Sequence, residues 1–262
     1  MSDDYVTKAV EQAKPSQLTI DVAGGSLIGR RHSDNHDSFF LDDEGRVFLV
    51  ADGMGSRPGA KLASQLAVDF VGQQFCDLPA TIAGQQDMNA SIQKILVAAN
   101  AHICEQSQCE PQNSGMATTL VGAVRRRNEL YVISVGDSRA YLIRDCRVEY
   151  CKEDQSMAQL FLSAGLLSDD QAATSRWRHV LWQCLGGDGP LERPLIETIE
   201  LQPGDKVLLA TDGLTNALTE WQLLQEMLRG ADANQAAERL LDAANACEAA
   251  DDATCVTMFV AG

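Results

Sequence analysis

Five acidic residues of this 262-residue chain lie beside apolar, strand-like runs. Asp52 follows the run 47–51, Asp137 follows 131–136, Asp212 follows 207–211, and Asp251 and Asp252 come just before 254–260. Carboxylates that gather at the ends of buried strands repel one another unless protons or metal ions neutralise them. The pattern therefore predicts a hydrolase that uses a hard divalent cation.

Glycines next to these acids strengthen the prediction of an ion site. In the segments 52–59 and 211–214 they allow backbone carbonyls and amides to approach an ion or a phosphate closely. An ordinary turn explains each segment equally well when it is taken alone, as it does 35–37 and 136–139. Together they favour Mg²⁺ or Mn²⁺, which take oxygen ligands. A His-rich zinc or iron site is not expected, because the chain has four histidines: His32, His36, His102 and His179.

The charge balance excludes several classes of partner. The net charge is −16, from 21 basic and 37 acidic residues. A surface of this sign disfavours nucleic-acid backbones and anionic membranes.

No apolar stretch reaches the roughly 18 residues of a membrane span, and the acidic N-terminus lacks the apolar region of a secretory signal. We therefore expect no nucleic acid, no membrane and a cytoplasmic location.

The cysteines point to the same compartment. The eight form no CxxC pair and no Cys/His spacing typical of a zinc site, and several lie in apolar runs. We expect them to be reduced core residues of a cytosolic protein.

The hydrophobic pattern predicts one α+β domain. Residues 1–16 are expected to be an N-terminal arm, loose or in a short helix, and 17–262 a single domain. Strands are predicted at 18–23, 38–41, 46–51, 117–126, 130–136, 139–144, 147–150, 196–201, 206–211 and 254–260. Helices are predicted at 156–163, near 169–173, and at 220–228 and 234–246. Two earlier helices present the faces Leu62, Leu66, Phe70 and Val71, and Ile92, Ile95, Leu96, Ala99 and Ile103. Short turns between the strands imply antiparallel sheets covered by helix pairs.

Short segments along the chain carry a family resemblance. They are Asn35-His36-Asp37, Asp52-Gly53-Met54-Gly55, Ala63-Ser64, the segments 115–119 and 136–141, Asp154-Gln155-Ser156, Thr211-Asp212-Gly213-Leu214 and Asp251-Asp252-Ala253-Thr254. In order and content this set resembles the metal-dependent Ser/Thr protein phosphatases (the PPM, or type 2C, family) in a bacterial-looking form.

The resemblance implies a fold and a site. The fold would be an antiparallel β-sandwich flanked by helix pairs, with a small flap at about 155–190. The implied cofactors are two Mg²⁺ or Mn²⁺ ions, with a third, looser ion. In this family's arrangement the metal set would be Asp37, Asp52, Gly53, Asp137, Asp212 and Asp251. Asp52 would bridge the two ions, and the Gly53 carbonyl would hold the second. Hydrolysis would be direct, by metal-activated water, without a covalent intermediate.

Three positions depart from the family pattern. His32, with Arg31 beside it, stands where the family usually has a phosphate-binding Arg, so His32 and Arg31 join Asp52, Asp212 and Asp251 in the candidate catalytic set. His36 replaces a Glu and removes a carboxylate near the second ion, and Gln155 replaces a His. Because the metal-binding acids are intact, we still expect activity, with altered substrate preference or phosphate affinity.

The leading hypothesis is a Mg²⁺/Mn²⁺-dependent phosphatase that acts on phosphoserine or phosphothreonine in proteins and opposes bacterial Ser/Thr kinases. Its partners would be phosphorylated proteins, with a Ser/Thr kinase as one candidate, and a monomer is favoured. The alternative is a catalytically weak phosphoprotein-binding regulatory module on the same fold. A third hypothesis is a small-molecule phosphoester hydrolase.

Overall fold

In the computed structural model, antiparallel strands form two sheets whose faces pack together, and helices cover the outer face of each sheet. The structure describes residues 5–12, 18–54, 58–79, 81–82, 84–151, 153–187, 189–192 and 194–262. The strands are β1 (Tyr5–Gln12), β2 (Thr19–Leu27), β3 (Asp37–Leu41), β4 (Val47–Met54), β5 (Ala117–Thr118), β6 (Leu120–Arg126), β7 (Glu129–Val135), β8 (Arg139–Arg144), β9 (Arg147–Cys151), β10 (Leu185–Gly186), β11 (Leu195–Glu200), β12 (Lys206–Ala210) and β13 (Ala253–Ala261). The helices are α1 (Pro58–Cys76), α2 (Gln85–Cys109), α3 (Met157–Ser163), α4 (Asp169–Ala173), α5 (Asp212–Ala217), α6 (Glu220–Arg229) and α7 (Ala233–Ala246).

The strand order brings distant segments of the chain side by side. One sheet has the order β1-β2-β13-β12-β8-β9, and the other has β10-β5-β4-β6-β7-β11, with β3 paired to β4. The last strand, β13, lies between β2 and β12 in the first sheet. The segments just before β13 and just after β12 therefore lie close together, although they are separated by about forty residues of sequence.

Three buried clusters follow from the alternation of side chains along the strands. Val207 and Leu209 face the opposite sheet, while Leu208 between them faces the helices α5 to α7. In β4, Val50 enters the layer between the sheets, and Leu49 packs toward α1 and α2. The antiparallel sandwich with helix layers outside it confirms the predicted fold class.

The N-terminal arm has a different structure from the expected one. Residues Tyr5–Gln12 form neither a loose segment nor a short helix; they pair antiparallel with β2 at the edge of the first sheet. An edge strand is held by backbone hydrogen bonds on one side and needs no alternating apolar pattern, so its sequence carried no signal. The proposed arm boundary near residue 16 lies outside the described residues.

The buried face of α1 is also corrected. Leu62 is 36% exposed and Leu66 and Phe70 are partly buried, whereas Ala60, Ala63, Ala67, Val68, Val71 and Phe75 are buried. Small residues are required because the helix runs close to the sheet: a Cβ at Gly72 would lie 2.8 Å from the Phe40 ring. On α2 the predicted face is confirmed, since Ile92, Ile95, Leu96, Ala99 and Ile103 are all buried.

The cysteines are mostly not core residues, which corrects the expectation for them. Of those whose side chains the structure describes, Cys255 is buried, while Cys109, Cys146 and Cys247 are exposed; all are free thiols. Burial raises the pKa of Cys255 to about 12, so this thiol stays protonated and unreactive. Across the described parts of the chain, we find no helix with the length and apolarity needed to cross a membrane.

A bidentate ion pair fastens the turn before β12. Arg144 donates from Nε to Asp205 Oδ1 at 2.8 Å and from Nη2 to Asp205 Oδ2 at 2.7 Å, and the Asp205 side chain is 1% exposed. Asp205→Ala removes both hydrogen bonds and leaves the guanidinium with the Glu200 carbonyl and Glu149. We therefore expect it to lower the free energy of unfolding by about 1.5–3 kcal/mol. Urea denaturation measures this loss.

The same guanidinium provides the control for this substitution. Glu149 lies 3.4 Å from Arg144, but its side chain is 43% exposed. We expect Glu149→Ala to change the free energy of unfolding by less than about 1 kcal/mol. Equal effects of the two substitutions would contradict a structural role for the buried pair.

Candidate metal centre

Asp37 and Asp52 are held next to each other by strand pairing. They are direct cross-strand partners in the β3–β4 hairpin. Thr211 Oγ1 donates to Asp37 Oδ2 at 2.8 Å, and Thr254 N donates to Thr211 Oγ1 at 2.9 Å. This chain of hydrogen bonds ties the carboxylate of one sheet to the ends of β12 and β13 in the other.

A break in the predicted strand 117–126 fixes the backbone of Asp52. The segment divides into β5 and β6 at Thr119, whose N–H donates to Asp52 O at 2.9 Å. Thr119 Oγ1 accepts from Asp52 N at 3.0 Å and lies 2.7 Å from Ser138 Oγ. The Asp52 segment is thereby connected to the loop that carries Asp137.

The side chains of five acids influence one another electrostatically. Burial is the largest cause that raises the pKa of Asp52 well above its ordinary value, and the charges of Asp37, Asp212, Asp137 and Asp251 raise it further. The pKa of Asp37 is also raised well above its usual range, first by burial. Burial and the charge of Asp212 raise the pKa of Asp137 to about 7. The carboxylates that the sequence places at separate strand ends therefore form one self-repelling group.

Two buried oxygens of this group have no hydrogen-bond partner among the described residues. They are Asp37 Oδ1 and Asp212 Oδ1. Leaving a buried acceptor unsatisfied costs about 1–3 kcal/mol, and more when the group is charged. Oxygen-only donors with unused lone pairs suit Mg²⁺ or Mn²⁺, so the residues present fit the expected cations.

The two adjacent acids before β13 play different structural parts. The Asp251 side chain is 51% exposed, whereas that of Asp252 is 1% exposed. Asp252 Oδ1 accepts from Gly29 N at 2.8 Å, and its Oδ2 accepts from His36 N at 2.7 Å. Asp252 therefore holds loops together, which leaves Asp251 free to face the cleft.

The predicted site residues meet at a single cleft of about 790 Å³. Its lining includes Arg31, His32, Asp52, Gly53, Asp137, Asp212 and Asp251. Asp37 is buried behind Asp52 as its strand partner. The structure thus brings together all the candidate catalytic and metal-binding residues, while their individual roles remain predictions.

Three glycines allow the loops of the site to approach one another. A Cβ on Gly29 would lie 2.1 Å from the Asp251 carbonyl carbon, and one on Gly53 would lie 2.1 Å from the Ala60 oxygen. A Cβ on Gly213 would lie 2.0 Å from the Asp252 oxygen. These positions accept no side chain unless the backbone around the acids moves.

Gly213→Ala is expected to displace the segment that carries Asp251 and Asp252. We expect a loss of about 1–3 kcal/mol in the free energy of unfolding and a Mn²⁺ affinity at least about tenfold weaker. Calorimetric titration with Mn²⁺ and urea denaturation measure the two effects. Gly189→Ala is the control, because a Cβ there meets nothing within 4 Å; a Gly213→Ala protein indistinguishable from this control would contradict the close packing.

Several residues that shape the site carry no distinctive signal in the sequence. The hydroxyls of Thr118, Thr119 and Thr211 were not singled out, although Thr118 Oγ1 donates to Asp52 O at 2.7 Å. Arg139 forms a bidentate pair with Asp154, with both N–O distances at 2.6 Å. The only available signal was their position within the motifs 115–119, 136–141, 154–156 and 211–214.

The segment that the sequence predicts to be a flap is anchored beside Asp137 by Gln155, one of the three residues that depart from the family pattern. Gln155 Oε1 accepts from Gly136 N at 2.8 Å, and Gln155 N donates to Gly136 O at 2.9 Å. Further along the same segment, Arg178 and His179 line the cleft opposite Asp212. Gln155 thus has a structural part in placing the flap, and the flap adds two basic residues near the acids.

Comparisons with known proteins agree with this fold and site. A family model described as Protein phosphatase 2C matches residues 28–245. The serine/threonine phosphatase stp of Listeria monocytogenes serotype 4b (strain F2365) is 30% identical over 204 residues, which cover 77% of this chain and 79% of that protein. The crystal structure of the Mycobacterium tuberculosis serine/threonine phosphatase PstP/Ppp has a TM-score of 0.81 and 26% identity, and the match covers 94% of this chain and 100% of that one. A structure of the PstP catalytic domain in complex with 2 manganese ions has a TM-score of 0.79 and 27% identity, with the same coverage.

Fold, site and comparisons define a metal-dependent protein phosphatase. The chain belongs to the protein phosphatase 2C family. The resemblance inferred from the short motifs is therefore confirmed, as is the enzyme class that it implied.

Proposed function

We propose that this protein hydrolyses phosphoserine and phosphothreonine in proteins, with two Mg²⁺ or Mn²⁺ ions bound in the acid cluster. The observation that carries this proposal is the group of buried carboxylates with raised pKa values and two unpartnered oxygens, Asp37 Oδ1 and Asp212 Oδ1. Asp52 would bridge the ions, and the Gly53 carbonyl, Asp212 and Asp251 would complete the ligand set. Asp137 and Asp212 would hold a third, weaker ion.

The cations explain how such an acidic protein can accept a phosphate. When bound, they neutralise the carboxylates, stabilise negative charge on the phosphoryl oxygens and lower the pKa of an attacking water. The chain itself contributes Arg31 and His32 on one side of the cleft and Arg178 and His179 on the flap side. We propose that His32 and Arg31 orient the phosphoryl oxygens in place of the family's usual Arg.

The position of His32 is fixed by its acidic neighbours. Its Nδ1 lies 2.9 Å from Asp252 Oδ2 and 3.4 Å from Asp251 Oδ1. Asp252 is itself held by backbone donors, so the imidazole has a defined orientation at the rim of the cleft. This arrangement supports a positioning function for His32 toward the substrate.

The setting proposed for the enzyme is a cytoplasm in which it opposes Ser/Thr kinases. The free thiols of the described cysteines are compatible with a reducing compartment. A phosphorylated Ser/Thr kinase is the first substrate to test, with a monomer as the proposed active form.

The experiment that tests the function compares substrates and cations. We expect Mn²⁺ or Mg²⁺ to support release of phosphate from phosphoserine and phosphothreonine peptides and from a phosphorylated kinase, and we expect EDTA to abolish it. Phosphopeptide binding without turnover at saturating Mn²⁺ would instead establish the regulatory module, which the substitutions at His32 and His36 favour. Faster turnover of nucleotides or sugar phosphates than of phosphopeptides would establish the small-molecule hydrolase.

A further inference from the structure

Two of the chain's few histidines meet a buried carboxylate beside the acid cluster. One ligand atom from each of His32, His36 and Asp252 lies within 4.8 Å of the other two. The two imidazole rings have centroids 4.6 Å apart and are tilted by 34°. Histidine is too scarce for the sequence to indicate a nitrogen-containing site, but the turn at 32–36 and the segment before β13 bring these three side chains together.

We propose that His32, His36 and Asp252 form a separate binding site for a borderline transition-metal cation such as Zn²⁺. Two imidazole nitrogens and one carboxylate oxygen match Zn²⁺ far better than Mg²⁺ or Mn²⁺, which prefer oxygen ligands. Three protein ligands leave one position of a tetrahedral site open to water or to a phosphate oxygen. This donor set differs from the oxygen-only cluster of Asp37, Asp52 and Asp212.

The carboxylate of this site is already oriented. Asp252 is buried, and backbone N–H groups of Gly29 and His36 hold its two oxygens at 2.8 and 2.7 Å. Such outer hydrogen bonds orient metal ligands and raise their affinity. His32 Nδ1 lies 2.9 Å from Asp252 Oδ2. Zn²⁺ would replace the proton between these two atoms and release it to water.

His36 supplies an unused donor atom. Its Nδ1 is buried and has no hydrogen-bond partner among the described residues. A buried polar nitrogen without a partner is costly unless a ligand occupies it. Ligands of a tetrahedral Zn²⁺ ion are about 3.3 Å apart for bonds near 2.0–2.1 Å. A modest rotation of the half-buried His36 ring would close the site from its present separation.

Occupation of this site would oppose catalysis. His32 is the residue that we propose to orient the phosphoryl oxygens, and its ring is oriented by the direct contact of Nδ1 with Asp252. A cation inserted between these two atoms would turn the imidazole away from that orientation. Zn²⁺ should therefore inhibit the Mn²⁺-loaded enzyme at concentrations that fill the site. This inhibitory consequence rests on the proposed function, whereas the binding of Zn²⁺ does not.

The test is a Zn²⁺ titration of the full chain in saturating Mg²⁺, which occupies the oxygen-only cluster. We expect one equivalent of Zn²⁺ to bind, and its X-ray absorption spectrum should show the scattering of imidazole ligands. His36→Ala should weaken the affinity for Zn²⁺ by about tenfold or more. Circular dichroism checks that this variant folds. His36→Gln, which keeps most of the side-chain volume, should weaken it similarly, and this variant serves if the alanine protein does not fold. His102→Ala is the matched control, because His102 stacks on Phe70 away from this site.

A second variant separates the two metal sites. Asp52→Asn removes the bridging ligand of the acid cluster but no ligand of the histidine site, so the imidazole-coordinated Zn²⁺ should remain. Equal Zn²⁺ affinity in the His36 variants and the parent protein would overturn the proposal. So would loss of the Zn²⁺ in Asp52→Asn, or a Zn²⁺ spectrum without imidazole. Failure of the proposed phosphatase function is distinguishable, because it appears as absent Mn²⁺-dependent hydrolysis and leaves the Zn²⁺ titration unchanged.

Discussion

Asp52→Asn is expected to remove hydrolysis while making the metal-free protein more stable. Loss of the carboxylate that we propose to lie between the ions should lower kcat by at least 10³-fold, equivalent to roughly 4 kcal/mol of transition-state stabilisation. The amide has the shape of a protonated Asp and carries no charge. It should therefore remove the cost of burying this charge, which is the largest cause of the raised pKa of Asp52, and relieve its repulsion with the neighbouring carboxylates. Phosphate release with Mn²⁺ and thermal melting in EDTA at pH 8 measure the two opposite effects.

The control for Asp52→Asn is the same change of charge on the surface. Asp43 is exposed in the turn between β3 and β4. We expect Asp43→Asn to retain parental kcat and to leave the melting temperature in EDTA nearly unchanged. Full activity in Asp52→Asn would contradict the metal centre. A lower melting temperature of Asp52→Asn in EDTA would show that the acids do not repel one another as described.

Mn²⁺ is expected to raise the melting temperature, and by more at pH 8 than at pH 6. At a Mn²⁺ concentration 100 times the dissociation constant, each site contributes about 2.7 kcal/mol. This corresponds to a rise of about 5–10 °C for a domain near this size. Since the cation replaces protons on the carboxylates, its affinity increases as they ionise. Scanning fluorimetry over Mn²⁺ concentration at both pH values measures the shift.

The pH dependence of the metal-free protein's stability follows from Asp137. Its pKa is about 7 in the folded protein and near 3.8 when unperturbed. Because the folded value is raised, the native state binds more protons than the unfolded state between these values. In EDTA, stability should be greatest at low pH within that window and should fall as the pH rises through about 7. A melting temperature in EDTA that rises from pH 5 to pH 7.5 would contradict the cluster. So would a melting temperature that does not change when Mn²⁺ is added in the absence of EDTA.

Much of the fold could be predicted because its elements have strong local patterns. The β3–β4 hairpin, the face of α2 and the strands 139–144 and 206–211 show clear periodicity and turn residues. The short helix α5 was missed, since Thr211-Asp212-Gly213 also reads as a turn. Its residues form a helix because Leu214 and Leu218 are buried against the first sheet and α7. The edge strand β1 was missed because it forms by pairing with β2, a partner that the local sequence does not reveal.

The acids of the site could be predicted from the sequence, but the residues that hold them in place could not. Charged residues at the ends of apolar runs stand out in any sequence, so Asp52, Asp137, Asp212 and Asp251 were identifiable. Hydrogen bonds such as that from Thr211 Oγ1 to Asp37 Oδ2 join residues 174 positions apart. Nothing local distinguishes Thr211 from other threonines. Likewise, the loop-organising function of Asp252 depends on Gly29 and His36, which only the folded chain brings near.

The most direct test of a paired-cation site among these acids is a crystal structure of the protein soaked in Mn²⁺ and measured at a wavelength where manganese scatters anomalously. We predict two anomalous peaks about 3.5–4 Å apart. The Asp52 carboxylate should lie between them, the Gly53 carbonyl on one ion, and Asp212 and Asp251 on the other. A map with no anomalous peak among these side chains, or with the carboxylates turned away from one another, would contradict the account.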